Sequence, residues 1–210
     1  MGDLQKLHWE KVYGTKKSKE ISWTQLVPQT SLNFIHSYHL PKTASIIDVG
    51  GGDSNLVDHL LDEGFTNLTV LDISARALDN AKQRLGAKAE KVTWIVSDII
   101  SFEPTTTYDV WHDRATFHFL TTKEQIEKYI KVVERSVKGY MIIATFSEVG
   151  PEKCSGLDVQ QYSEEKLETI LNNRFLNCIA LLKIILHLLI QHRIFCSVVL
   201  RKEIYSYLLS

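Results

Sequence analysis

Three carboxylates and a run of glycines are the residues of this chain best placed to do chemistry. Asp48 lies in the apolar run Ser45 to Val49, and Gly50, Gly51 and Gly52 follow at once. Asp72 closes the run Asn67 to Leu71, twenty residues after Gly52, and Asp98 comes just after the run Val92 to Val96. Short apolar runs mark buried parallel strands. Glycines at a strand end let the backbone turn sharply and let a ligand come close, since no Cβ stands in the way. The helix that follows presents unpaired N–H groups. An acid at the end of the second strand accepts hydrogen bonds from ribose hydroxyls. Any one of these acids alone reads as an ordinary loop carboxylate. Three of them after three successive strands point to a nucleotide-type site at the carboxyl edge of a doubly wound sheet.

The type of nucleotide follows from the loop chemistry. A hydride-carrier loop carries a third glycine for close helix–strand packing beside a pyrophosphate. Gly50 and Gly52 fit its first two positions, but Asn55 occupies the third. Asp48 at the loop mouth would repel a phosphate and would suit a ligand bearing an ammonium and a sulfonium. A nicotinamide-dependent oxidoreductase is therefore the weaker alternative, and a non-catalytic cofactor-binding scaffold on the same fold is the other. The segment from Asp48 to Gly52 resembles motif I of the class I S-adenosylmethionine-dependent methyltransferases. That resemblance implies S-adenosylmethionine as cofactor. Asp48, Gly50, Gly51 and Gly52 would face its methionine part and Asp72 its ribose. Ile73 would cover the adenine, and Asp98 with Ile99 would meet the adenine edge.

A fourth strand end, Tyr108 to Ala115, resembles the family's motif IV, where a strand runs out beneath the methyl group. Asp113 and His112 are the catalytic candidates for positioning an acceptor or taking its proton, with Arg114 beside them. Asp113 is also expected to touch the cofactor. His118, four residues beyond Arg114, is a second histidine, in the pocket or in the core. The opening segment with Trp9, Tyr13 and Trp23 resembles the aromatic lid of a methyltransferase-like subgroup that methylates lysines on proteins such as elongation factor 1A and citrate synthase. These three aromatics would cover the cofactor, and a ring face attracts a sulfonium. An anchor of the terminal helix to the core is the competing reading of the same residues.

The elements that must position these residues alternate strand and helix, which implies an α/β, doubly wound, Rossmann-like and mainly parallel sheet. A leading helix is expected from Ser22 to Tyr38, stopped by Pro41. Ser74 should cap a helix over Ala75 to Leu85. Thr121 and Thr122 should cap another, Lys123 to Ser136, whose face is Ile126, Tyr129, Ile130, Val133 and Val137. Gly139 should turn the chain into a fifth strand, Tyr140 to Phe146. Ser147 to Val159 reads as a loop bordering the acceptor pocket, and Ser163 opens a last helix ending near Asn173. An antiparallel last strand is expected around Gln191 to Ser197. The run Ala180 to Ile190 departs from the family pattern and also suits a helix with one polar stripe, Lys183, His187 and Gln191. The expected organisation is a single methyltransferase domain over 1–210. A helical lid would span 1–40, a cofactor core 41–146 and acceptor-side elements 147–210.

Charge and composition restrict the partners. The chain has 210 residues, 44% hydrophobic and 23% charged, as in ordinary globular domains. Its 24 basic and 25 acidic residues give a formal charge of −1, which is no footprint for nucleic acid. The expected acceptor is a small molecule or a protein side chain. An acidic pocket floor at Asp113 would favour an amine such as lysine, and Arg114 would favour an anion. The 3 cysteines, Cys154, Cys178 and Cys196, form no metal-binding spacing. No secretory pattern opens the sequence and no run is long enough to span a membrane, so a cytoplasmic location is expected. The oligomeric state is left open.

Overall fold

The computed structural model describes residues 2–15, 24–114, 116–172, 188–190 and 193–201. Helices α1 (Gly2–Thr15) and α2 (Gln29–Ser37) precede strand β1 (Ser45–Val49), in which every residue is buried. The chain continues through α3 (Leu56–Asp62), β2 (Asn67–Asp72), α4 (Ala75–Leu85), β3 (Val92–Val96), β4 (Tyr108–Arg114), α5 (Lys123–Ser136) and β5 (Val137–Phe146). A small antiparallel hairpin, β6 (Lys153–Cys154) and β7 (Leu157–Asp158), leads to α6 (Glu164–Asn172). Strands β8 (Leu188–Ile190) and β9 (Arg193–Arg201) follow. The main sheet has the order β3-β2-β1-β4-β5-β9-β8. Its first five strands are parallel, and β9 runs antiparallel to both β5 and β8. The order reverses beside β1, and there the crevice for a ligand opens at the carboxyl ends of the strands.

Strand pleating divides the core into two layers, because successive side chains point to opposite faces. Ile46, Val110 and Ile142 join Leu68 and Leu78 in one cluster, beneath α2, α3 and α4. Ile47, Trp111 and Ile143 join Tyr129, Val133 and Leu167 in the other, beneath α5 and α6. Helix α4 buries Ala77, Leu78, Ala81 and Leu85, a stripe at helical spacing. Ser74 caps it, its hydroxyl accepting from the Ala77 N–H at 3.2 Å. In α5 the Thr122 hydroxyl accepts from the Gln125 N–H at 3.3 Å, while the Gln125 side chain accepts from the Thr122 N–H at 3.1 Å. Reciprocal satisfaction of this kind closes the first turn.

The doubly wound sheet and its antiparallel last strand agree with the sequence reading, and three local expectations do not. The leading helix begins at Gln29 rather than Ser22. Pro28 stands at its N-cap, and proline disfavours helix at the residue before it, so residues 24–27 stay irregular. Gly139 makes no turn. Helix α5 passes directly into β5, and Gly139 lies within the strand, where a Cβ would strike the Asp109 carbonyl beside a register shift in β4. The acceptor-side loop contains the β6–β7 hairpin. Of the ambiguous run Ala180 to Ile190, residues 188–190 are strand and the rest, with Lys183 and His187, lie outside the described residues.

Thr122→Ala should lower stability by about 1 kcal/mol through loss of the reciprocal cap. Urea unfolding checks this, with a lower midpoint at an unchanged slope.

Candidate functional site

The three carboxylates converge at the sheet edge, each held by backbone or side-chain donors. Asp48 is buried on the α2 side of β1, where β4 places His112 directly opposite it in register. His112 Nδ1 lies 2.7 Å from Asp48 Oδ1, and His112 Nε2 lies 2.8 Å from the Ser31 hydroxyl of α2. The other oxygen, Asp48 Oδ2, is buried with no hydrogen-bond partner among the described residues. A Cβ on Gly51 would stand 2.7 Å from it, which explains the glycine there. Gly50 has a φ of +65°, and Thr116 packs so tightly on it that a side chain has no room. Thr116 is anchored in turn by a hydrogen bond from its hydroxyl to the Val49 carbonyl at 3.2 Å.

Asp72 accepts from the Ser74 N–H at 2.8 Å and is 5% exposed. Burial pushes its carboxyl up to about 7, with Asp48 and Glu10 adding repulsion, while hydrogen bonds from Ser74 and Gly52 oppose the rise. Gly52 lies beneath Asp72 and Tyr13. A Cβ there would be 2.8 Å from the Tyr13 hydroxyl and 2.9 Å from Asp72 Oδ2. Asp98 caps the short turn Ile99–Ser101 by accepting from the Ile100 N–H at 3.2 Å. Asp72, Ile73, Asp98 and Ile99 line one side of the larger cavity, together with Gly50, Arg114 and Thr116. Trp9, Tyr13, Phe119, Phe146 and Cys154 line the rest of its wall. A smaller cavity is lined by Asp48, Gly50, Gly51, His112 and Arg114, and Tyr13 is shared by both.

Strand β4 separates the residues that the motif IV resemblance grouped. His112 and Arg114 face the cavity side, while Asp113 points to the α5 layer. Asp113 is completely buried and enters neither cavity lining. Its carboxylate accepts from the Tyr129 hydroxyl at 2.6 Å and from the N–H groups of Thr116 and Phe117 at 2.9 and 3.3 Å. Tyr129 in turn accepts from the Trp111 indole at 3.0 Å. Burial raises the Asp113 carboxyl to about 6, against the pull of these donors. An acidic pocket floor at Asp113 is thus corrected. Its oxygens are engaged on the far side of the sheet, where it holds the turn carrying Thr116 and Phe119. His112 is equally committed, with both ring nitrogens on Asp48 and Ser31. His118 packs in the core, its ring stacked 4.4 Å from Phe146.

The amino-terminal helix closes over the site. Trp9 lies edge-on to Phe119 at 5.2 Å and 6.0 Å from Tyr13. Trp23, the third aromatic of the expected lid, lies outside the described residues. Sequence reasoning missed the latch that holds α1. The Glu10 carboxylate accepts from the Ala75 and Arg76 N–H groups at 2.7 and 3.3 Å, at the amino end of α4. A carboxylate is stabilised there by the unpaired N–H groups and the helix dipole. Arg84 was also missed. From α4 it pairs with Asp53 and Asp58 and donates to the Ser54 carbonyl at 2.8 Å, pinning the loop after the glycines. No local pattern marked either residue, since each acts on a segment distant in sequence.

The site also meets the chemistry of the expected ligand. A buried carboxylate oxygen lacking a donor, glycines against which a ligand can lie, and two further acids at the adjoining strand ends suit a ligand with an ammonium, a ribose and an adenine. The hydride-carrier reading finds no support. Asp48 is a buried carboxylate beside the glycine loop, which would repel a pyrophosphate there, and the Asn55 side chain donates to the Gln25 carbonyl at 2.8 Å. Among the described residues no cluster of three potential ligands is arranged for a metal, and no helix is long and apolar enough to cross a membrane.

Two predictions follow from these buried groups. Tyr129→Phe should destabilise the fold by about 2–3 kcal/mol, because it leaves the Oδ2 atom of Asp113 and the Trp111 N–H without their hydrogen-bond partner, as chemical unfolding would measure. Asp72 holds its proton more tightly folded than unfolded, so the folded state binds more protons between about pH 4 and 7, and stability falls as pH rises through that window. Asp72→Asn should therefore be more stable than wild type at pH 8 without ligand, by about 1–3 kcal/mol. Melting curves should show the gap closing as pH falls below about 5.

Known proteins resemble this chain in sequence and in fold. A family model described as a methyltransferase domain matches residues 47–139. The malonyl-[acyl-carrier protein] O-methyltransferase of Anoxybacillus flavithermus is 34% identical over 113 residues, covering 52% of this chain and 41% of that protein. The eEF1A lysine and N-terminal methyltransferase of Bos taurus is 26% identical over 129 residues, covering 61% of this chain and 18% of that protein. The aligned stretch thus spans less than half the length of either relative. The solved structure of magnesium protoporphyrin IX methyltransferase from Synechocystis, with bound SAM, superposes with a TM-score of 0.66 at 16% identity, over 93% of this chain and 90% of that one. An S-adenosylmethionine-dependent methyltransferase from Clostridium acetobutylicum gives 0.64 at 13% identity, over 95% and 97%. Strand order and these likenesses give the chain the fold of the S-adenosylmethionine-dependent methyltransferases, with residues 47–139 matching a methyltransferase-domain model.

Proposed function

We propose that this chain transfers a methyl group from S-adenosylmethionine to an acceptor that is a small molecule or a protein side chain. The observation that carries this reading is the buried Asp48 Oδ2 atom, without a hydrogen-bond partner among the described residues, beside a glycine loop and beneath an aromatic helix. A cationic amino group satisfies such an oxygen, and an anionic phosphate does not. In this reading Asp48 takes the ammonium, and Gly50, Gly51 and Gly52 lie along the methionine part. Asp72 accepts from the ribose, Ile73 covers the adenine, and Asp98 with Ile99 meets its edge. Trp9 and Tyr13 exclude water from above, with Trp23 proposed to join them, so residues 1–40 act as a lid on the core at 41–146. The elements from 147 onward are assigned to the acceptor side.

The cofactor supplies a methyl group already activated by its sulfonium, so the protein has to align the acceptor and keep water out. His112 acts by fixing the orientation of Asp48, and Asp113 acts by fixing the turn that carries Thr116 and Phe119. Neither is placed to touch an acceptor. The relatives' names span an O-methyltransferase on an acyl carrier protein and a methyltransferase of lysine, so they leave the acceptor class open. A balance of 24 basic and 25 acidic residues speaks against a polyanion such as RNA, which is held by many Lys and Arg contacts.

Isothermal titration is the test. S-adenosylmethionine and S-adenosylhomocysteine should bind, and Asp72→Ala should weaken both by roughly 1.5–3 kcal/mol through the lost charge-assisted hydrogen bonds. NAD and NADP should not bind at micromolar concentration, and saturable binding of either would refute the reading. Release of labelled methyl to protein or metabolite extract separates an enzyme from a cofactor-binding scaffold.

A further inference from the structure

Ser31, His112 and Asp48 form a line from α2 through β4 to β1, and they are only 4%, 2% and 6% exposed. The Ser31 hydroxyl lies 2.8 Å from His112 Nε2, and His112 Nδ1 lies 2.7 Å from Asp48 Oδ1. Asp48 and His112 line the smaller cavity, while Ser31 stands behind them and lines neither cavity. The hydroxyl is thus two hydrogen bonds away from the oxygen that faces the glycine loop.

The protons in this line can be placed by counting donors. A hydroxyl both donates and accepts, a neutral imidazole has one donor and one acceptor, and an ionised carboxylate only accepts. The Ser31 hydroxyl makes no other hydrogen bond among the described residues. If it accepted from His112, its own O–H would be buried without an acceptor, which costs free energy. It therefore donates to Nε2. The single proton of the ring then sits on Nδ1 and points at Asp48. Asp48 is left as an ionised acceptor, with Oδ2 beside Gly51 and without a hydrogen-bond partner among the described residues.

The same hydroxyl disfavours two other arrangements. With a proton on both ring nitrogens, an imidazolium would stand against Asp48 and repel a cationic ligand. With protons on Asp48 and Nε2, the carboxyl would be neutral and offer an ammonium no charge. Both require Nε2 to donate, and Ser31 needs it as an acceptor. Charges count heavily in a site this dry. Of the charged groups nearby, Arg114 favours the ionised form of Asp48 and Asp72 opposes it.

We infer that Ser31 is a positioning residue for the cofactor: its hydroxyl locks His112 in the Nδ1–H tautomer and so keeps Asp48 ionised and oriented to take the ammonium of the amino-acid head. This rests on the methyltransferase reading. Ser31 acts through His112 and touches no part of the ligand. Its effect is confined to ligands that carry the amino group and does not extend to the nucleoside alone.

Correlation NMR on protein with nitrogen-labelled histidine tells the tautomers apart. His112 is one of 8 histidines, and its signals are those missing from His112→Gln. Near neutral pH the wild-type ring should carry its proton on Nδ1, with and without S-adenosylhomocysteine. Ser31→Ala should move these signals toward the doubly protonated form and weaken S-adenosylhomocysteine binding at least fivefold. Methylthioadenosine, which lacks the amino-acid head, should bind both proteins within twofold. If Ser31→Ala fails to fold, Ser31→Cys, a weaker donor of similar size, is read in the same way. A wild-type ring protonated on Nε2, or on both nitrogens, would overturn the inference. So would an unchanged S-adenosylhomocysteine affinity in the variant. An equal loss for both ligands would make Ser31 a structural contact of α2 and overturn it too. Failure of wild type to bind S-adenosylhomocysteine would strike the methyltransferase reading, and the spectrum alone would then judge the tautomer.

Discussion

Gathering carboxylates at the ends of adjacent parallel strands is the constraint around which this structure is organised. Asp48 and Asp72 sit on neighbouring strands, both nearly inaccessible to water, and their mutual repulsion adds to the cost of burial. A buried charge is tolerated only when donors surround it. Here the donors come from elsewhere in the chain. They are the His112 ring on β4, the Ser74 amide at the start of α4, and the Ile100 amide after β3. Each acid thereby ties a strand end to the element that follows or flanks it, and Ser31 extends the Asp48–His112 pair to α2.

The glycine loop follows from the same constraint. Gly51 leaves room for Asp48 and Gly52 for Asp72 and Tyr13, while Gly50 takes a left-handed conformation under Thr116. Larger residues would collide with the acids and with Tyr13 of α1. Helix α1 stays over this loop because Glu10 reaches the amino end of α4, the same end that Ser74 caps. Helix α1 and Asp72 are therefore both tied to one helix terminus, and a shift of α4 would move both.

The pleat of β4 decides which polar groups face the ligand. His112 and Arg114 project to the cavity side and Asp113 to the helix side, so adjacent residues have unrelated roles. Asp113, Tyr129 and Trp111 form a buried chain of hydrogen bonds in the α5 layer. That chain holds the turn after β4, and through it Thr116 and Phe119 reach the cavity. A network on one face of the sheet thus shapes a site on the other. The charged residue that lines the cavities from β4 is a cation, Arg114, and the carboxylate beside it in sequence is turned away from them.

Much of the fold was legible in the sequence because its signals are local. Apolar runs of strand length, the Ser74 and Thr122 caps and the face of α5 depend on residues within a turn or two, and those elements lie where the pattern puts them. The late start of α2 was equally local, since Pro28 acts on its own predecessor. The acid after each strand was visible for the same reason, because strand ends and their acids are neighbours in the chain. Tertiary structure alone decided what those acids bind to. Asp48 meets His112 across 64 residues and Ala75 meets Glu10 across 65, separations over which sequence carries no distance information. It also decided the fate of Asp113, since its burial against Tyr129 depends on which face of β4 receives α5. Periodicity tells that successive strand residues face opposite ways. Only the packing of helices on the sheet fixes which way is toward the ligand.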